Sequence, residues 1–259
     1  MDFQLIPISE FQLFLICLAR VAGFIAAIPV ILANQTPPQL KVGLVVMVSL
    51  VLFPVMEPTI PPMEFEPGSF LLLAIAEVLL GGMVGLVARM IFTSVEYGGT
   101  IIGYQMGFAA ANVYDPSSER QLALISQFQN VFAILVFLAI DGHHIFFQIA
   151  VESYKILPPG AFNVSGEAIP YLMQLSARIF ILGIQFSAPV LAVLLLSGLI
   201  LGILARVFPQ LNVFLLSFPL NIAISFTVIA LTLPLVSSLI RREFDNLGER
   251  IYTILQLLN

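Results

Sequence analysis

The feature that most restricts this chain is a near-unbroken succession of apolar stretches, at approximately 11–33, 39–56, 69–95, 97–114, 121–140, 143–157, 170–205 and 211–240. Most are long enough, if helical, to cross a hydrocarbon core about 30 Å thick. Only 10% of the 259 residues are charged, against about 25% in a soluble domain. That is too little charge to cover a water-facing surface, and a mean hydropathy of +1.05 agrees. Lipid offers no partner to a free backbone donor, and no repeated alternating segments of roughly ten residues suggest a membrane barrel. The expected fold is therefore all-α: polytopic, membrane-associated helical hairpins forming one integral domain over residues 1–259.

These are poor lipid-facing helices. Arg20, Glu77, Arg89, Glu96, Asp141 and Arg178 fall inside or at the margins of apolar runs. An unpaired charge at the bilayer centre costs at least about 2.5 kcal/mol, so these groups should face protein or water. Pro29, Pro54, Pro189, Pro219 and Pro234 each remove a helix donor, which predicts kinked or broken helices. Small residues four apart, at Gly81 and Gly85, at Gly99, Gly103 and Gly107, and at Gly198 and Gly202, predict faces where a second backbone approaches closely. Arg206, Gln210 and Asn212 are expected to pack or to contact a subunit, because unpaired polar groups in apolar surroundings are costly.

The segment from Glu57 to Gly68 holds three glutamates, four prolines and no basic residue, whereas the tail holds Arg241, Arg242 and Arg250. The positive-inside rule puts the tail in the cytoplasm and the acidic loop outside. Within residues 241–259, Phe244, Leu247, Ile251, Ile254, Leu255 and Leu258 recur at helical spacing. They predict an amphipathic terminal helix lying on a partner or on the membrane surface, with a partner preferred.

Catalytic chemistry finds little support. There is no GxSxG, Walker loop or dinucleotide fingerprint, and the net charge of −5 gives no basic footprint for nucleic acid. The two histidines, His143 and His144, are adjacent and so point about 100° apart on a helix. With no Cys cluster to complete a site, no metal and no cofactor are expected. Asp141-Gly142 reads instead as a helix end, with Asp141 capping the helix that starts at the histidines. Cys17, the single cysteine, cannot form an internal disulfide. The remaining polar content, Tyr104, Gln105, Asn112, Gln127, Gln129 and Asn130, bonds across helices or lines a wet path. A glycine-rich helix that breaks between Gly107 and Pro116 suits a re-entrant loop, tolerated at membrane depth only against protein or water.

Three motifs in order carry a resemblance. They are Gly99-x-x-x-Gly103-Tyr104-Gln105-Met106-Gly107-Phe108 running to Asp115-Pro116; Asp141-Gly142-His143-His144 followed by Leu157-Pro158-Pro159-Gly160; and Ala188-Pro189 leading through Gly202 to Ala205-Arg206-Val207-Phe208-Pro209-Gln210-Leu211-Asn212-Val213-Phe214. With Arg20, Pro29 and Pro37-Pro38-x-Leu40-Lys41, the chain resembles the FliR family of flagellar export-gate proteins over almost its whole length. It departs from the family pattern around Phe218-Pro219-Leu220, where Ser217 and Asn221 replace the usual Gly and Lys, and at Ala110 and Val113, where relatives carry bulky aromatics.

The resemblance implies a non-enzymatic component of a type III export gate in the bacterial inner membrane, at the flagellar basal body. It implies a hetero-oligomer with FliP and FliQ subunits, contact with FlhB and with lipid, and passage of unfolded flagellar proteins. Residues Gly103, Gln105, Met106, Gly107, Phe108, Ala110, Val113, Tyr114, Asp115 and Pro116 would then form the loop that closes the channel, with Met106 and Phe108 against a partner's constriction. A small-solute secondary transporter is the alternative that kinked helices and buried charges also suit.

Overall fold

The computed structural model describes residues 7–27, 37–60, 67–108, 119–162 and 166–259. Among them no strand occurs. The α-helices are α1 Ile8–Ala26, α2 Pro38–Met56, α3 Pro67–Gly103, α4 Glu119–Ala139, α5 Gly142–Ile156, α6 Ala168–Val207, α7 Val213–Asp245 and α8 Leu247–Leu257. A 3-10 turn, Glu57–Thr59, follows α2, and a π-helical turn, Tyr104–Phe108, follows α3. Five segments are long and apolar enough to cross a membrane, and α4 with α5 passes as a sixth, bent span. The all-helical, membrane-associated expectation is met.

Local chemistry sets several of the helix ends. Proline stands at the cap or first position of α1 (Pro7) and α2 (Pro37 and Pro38), where a missing N–H costs nothing and φ is already helical. Asn212 caps α7, its side-chain oxygen accepting the Leu215 N–H at 3.3 Å. The apolar runs 69–95 and 97–114, separated only by Glu96, belong to a single helix as far as Gly103. Helical backbone also continues through Pro54, Pro189, Pro219 and Pro234. Two breaks fall instead at Gly107 (φ 97°) and at Asp141 (φ 54°), where the chain enters positive-φ backbone. Helices α3 and α6, of 37 and 40 residues, are about 55 and 60 Å long at 1.5 Å per residue. Each far exceeds one hydrocarbon thickness.

The chain divides into two compact units, one comprising Met1–Met90, Asp141–Leu175 and Phe244–Asn259, the other Ile91–Ile140 and Ser176–Glu243. In the first, Cys17, Val21, Ile25, Met56, Ile60 and Tyr154 form a buried core, and Phe24 packs on Phe146 at 5.3 Å. In the second, Ile102, Met106, Ile125, Val190, Leu194 and Ile229 do so.

The terminal helix corrects one expectation. Phe244, Leu247, Ile251, Ile254, Leu255 and Leu258 are all buried within the first unit, where α8 packs against α5. The amphipathic pattern of residues 241–259 is real, but its apolar face is covered by this chain and not by a partner or by lipid. The helix also breaks within that segment, α7 ending at Asp245 and α8 beginning at Leu247.

Candidate functional site

The expected gate region begins where α3 stops. Gly103 is its last residue, and the five residues Tyr104–Phe108 make a wider π turn, a geometry that recurs at functional sites. At Gly107 the backbone turns to φ 97°, ψ 5°, and a Cβ there would lie 2.8 Å from the ring of Phe218. Only glycine meets both conditions without strain. Tyr104 and Gln105 are exposed. Met106, expected at a partner's constriction, is instead fully buried in the core of the second unit. Its flexible side chain fills an irregular space between α3, α4, α6 and α7. The side chain of Phe108, and Ala110, Val113, Tyr114, Asp115 and Pro116, lie outside the described residues.

Beside the turn, α3 and α4 approach closely. A Cβ on Gly99 would fall 2.6 Å from Ser126 Cα and 3.0 Å from Gln129 Oε1. Gln129 Oε1 and the neighbouring Asn130 Oδ1 are buried without a hydrogen-bond donor among the described residues. Gly98 meets Gly183 O in the same way, at 2.9 Å. Asn221, at the position where the family pattern has lysine, accepts a hydrogen bond from Ser197 Oγ at 3.1 Å.

The first unit holds the other expected constellation. Arg20 on α1 and Glu77 on α3 are 3% and 1% exposed and form a bidentate pair: Nε donates to Oε2, and Nη2 donates to Oε1 at 3.0 Å. Nη2 also donates to Leu157 O at 3.0 Å, and Nη1 to Ser153 Oγ at 3.2 Å. The guanidinium lies 3.8 Å from the centre of the Tyr154 ring. Gly81 and Gly85 permit this approach, because a Cβ on Gly81 would sit 2.1 Å from Arg20 O and one on Gly85 2.7 Å from Phe24 O. Gly23 does the same from α1, its Cβ position lying 2.2 Å from Val78 O. Sequence reasoning missed Gly23, Gly98 and Gly183. Gly23 carried a signal, standing three residues beyond a charge that had to be buried.

Other expected residues are not brought into contact. Arg89, Glu96, Arg206 and Gln210 are exposed, and a Cβ on Gly198 or Gly202 would meet nothing within 4 Å. Arg178 pairs with Glu243 at 3.0 Å, with the carboxylate buried and the guanidinium 44% exposed. Glu243 went unrecognised as a partner because 65 residues separate it from Arg178 and nothing local links the two.

Asp141 does not cap α5 with its side chain. Its left-handed backbone presents the main-chain carbonyl instead, which accepts the His144 N–H at 2.9 Å. The adjacent histidine rings, expected to diverge, lie with centroids 4.2 Å apart.

Residues 11–247 match the family model described as "Bacterial export proteins, family 1". A flagellar biosynthetic protein FliR of Bacillus subtilis (strain 168) is 34% identical over 254 residues, covering 97% of each chain. Proteins of the same name from Pectobacterium carotovorum subsp. carotovorum and Escherichia coli (strain K12) are 30% and 28% identical, each match covering 93% of this chain and 91% of the relative.

Proposed function

This chain belongs to the bacterial export proteins, family 1, and is a FliR family member; from that premise we propose that it is a component of the flagellar protein export gate. In this reading it assembles with FliP-like and FliQ-like subunits and contacts FlhB in the bacterial inner membrane. Unfolded flagellar proteins pass through the conduit so formed. Its part is mechanical: it shapes and closes the path, and no bond of the cargo is made or broken.

One observation carries the reading. The spanning segments leave most of their apolar surface uncovered within the chain: 11% of the most apolar stretch of α2 is buried, and 17% of that beginning at Val213. Exposed Arg89, Glu96 and Arg206 lie on helices of this kind. Such surfaces need apolar cover, yet charged groups on them are costly against acyl chains. Neighbouring helical subunits satisfy both demands. The lengths of α3 and α6 fit an assembly that extends beyond the bilayer core.

The gate itself is assigned to residues 103–116. Gly103, Gln105, Gly107 and Phe108 begin the segment and Asp115 and Pro116 end it. Met106 anchors it in the chain's own core, so the closing surface falls to the residues after Gly107. Cytoplasmic Arg241, Arg242 and Arg250 would set the orientation.

Weighing the tagged chain after purification from its native membrane tests the assignment. A large hetero-oligomer is expected. A lone homodimer that binds and moves a small solute would instead establish a secondary transporter. In the assembled complex, replacing Ala110, Val113 and Tyr114 together by glycine should raise ion leakage. Unchanged conductance with intact assembly would remove the gate role from this segment.

A further inference from the structure

Asp141, His143 and His144 each offer a donor atom, and all three atoms lie within 4.8 Å of one another. The helical spacing of two adjacent histidines does not by itself produce such a cluster. It arises because Asp141 leaves α5 in left-handed backbone, φ 54° and ψ 30°, while the two imidazoles begin the helix with ring centroids 4.2 Å apart. Asp141 Oδ1 stands 3.9 Å from His144 Nδ1, too far for a hydrogen bond. His143 Nδ1 is buried and has no hydrogen-bond partner among the described residues. Two imidazoles and a carboxylate thus converge without their donor atoms being spent on side-chain hydrogen bonds to one another.

We propose that Asp141, His143 and His144 bind a divalent late transition-metal ion of the zinc type. Two histidine nitrogens and one carboxylate oxygen are a ligand set that zinc takes at about 2.0–2.2 Å, with water or another group at the fourth position. Ligands on a tetrahedral ion are about 3.4 Å apart at those bond lengths, so the donors must close by at most about 1.4 Å. The side chains of His144 and Asp141 are 70% and 72% exposed and are free to rotate inward. The half-buried His143 supplies the fixed point. A bound ion would tie the start of α5 to the residue that ends the break after α4. The site is independent of the export reading, since it is built within the first unit alone.

The test uses the full chain in detergent, purified with a tag that contains no histidine. Zinc is titrated by calorimetry, and cupric ion, the strongest binder of the divalent series, serves as a spectroscopic probe of nitrogen ligation. One ion per chain and the hyperfine pattern of two nitrogens are expected. Asp141→Asn keeps a residue that tolerates left-handed backbone, and His144→Gln changes an exposed side chain, so both variants should fold. Each should weaken binding by about tenfold or more, and His144→Gln should leave the pattern of one nitrogen. The thermal shift that zinc produces in the parent chain should shrink in both. Sub-stoichiometric uptake, or affinity and spectra unchanged in the two variants, would overturn the site.

Discussion

Replacing Arg20 or Glu77 singly should be far more damaging than replacing both. In Glu77→Leu the guanidinium keeps Ser153 Oγ, Leu157 O and the Tyr154 face but loses its counter-charge at 3% exposure. Arg20→Met leaves a carboxylate 1% exposed with no cation. Either change strands a buried charge, at about 3–5 kcal/mol. The double variant Arg20→Met/Glu77→Leu puts apolar groups of similar volume in the same space. Ser153 Oγ still donates to Ala150 O at 2.7 Å, so the remaining cost is the orphaned Leu157 carbonyl, about 1–3 kcal/mol. Singles that sum to about 6–10 kcal/mol against a double of about 1–3 kcal/mol imply strong coupling between the two sites. At about 2–4 °C per kcal/mol, each single variant should melt about 6–20 °C lower. Cys17 is the chain's single cysteine, fully buried in the core beside Tyr154, so maleimide labelling on a temperature ramp reports opening of this unit directly. A double variant as labile as the worse single, or singles that label like the parent, would refute the reasoning.

Gly81→Ala should destabilise by about 1–3 kcal/mol, since its Cβ meets backbone that cannot rotate away. Gly198→Ala, with open space around it, should raise the stability of the free chain by up to about 1 kcal/mol through helix propensity. Thermal melts of the chain alone and of its assemblies compare the two, and a loss confined to the assembly would place Gly198 at a subunit contact. Gly107→Ala should cost about 1–2 kcal/mol for its positive φ, with further loss from the Phe218 ring. Adding Phe218→Ala should relieve only the ring contact, so hydrogen exchange in α3 and α4 should recover in part; full recovery would show that φ is not strained. Ile254→Ala and Leu255→Ala should each cost about 2–5 kcal/mol. Faster proteolysis of the isolated chain would register that loss, whereas an effect seen only with partners present would return α8 to the docking role it was expected to have.

What the sequence revealed was whatever a single segment dictates. Apolar length dictated helices, and the cost of an unpaired charge dictated that Arg20 and Glu77 be covered. Their pairing was not legible, because 57 residues separate them and nothing local selects one partner over another. The glycine pairs show the same limit. Gly81 with Gly85 and Gly198 with Gly202 have identical spacing, yet the first pair accommodates α1 backbone and the second faces open space. Spacing belongs to one helix, while contact needs two. At Asp141 a correct inference of a helix end produced a wrong cap, since side-chain capping requires ordinary extended backbone at that residue and here it is left-handed. The tail failed for a different reason: an amphipathic stripe states that it will be covered and is silent on what covers it.

The distribution of polar groups orders these observations. Arg20 and Glu77 are neutralised inside the first unit, and Glu243 is buried beside Arg178 in the second, so each unit meets its own internal charges. Among the charges left outside are Arg89, Glu96 and Arg206, which lie on helices about 55–60 Å long. A bilayer about 30 Å thick covers roughly half of such a helix. On the C-terminal half of α6, Leu195, Leu196, Leu199, Ile200 and Ile203 expose a continuous apolar face beside Gly198 and Gly202. Water does not suit that face, and small residues four apart make it suitable for a second helix at close range. The same helix therefore carries a closed contact at Gly183 and an open one at Gly198 and Gly202. In the proposed assembly, the C-terminal half of α6 is therefore the face left for a neighbouring helix.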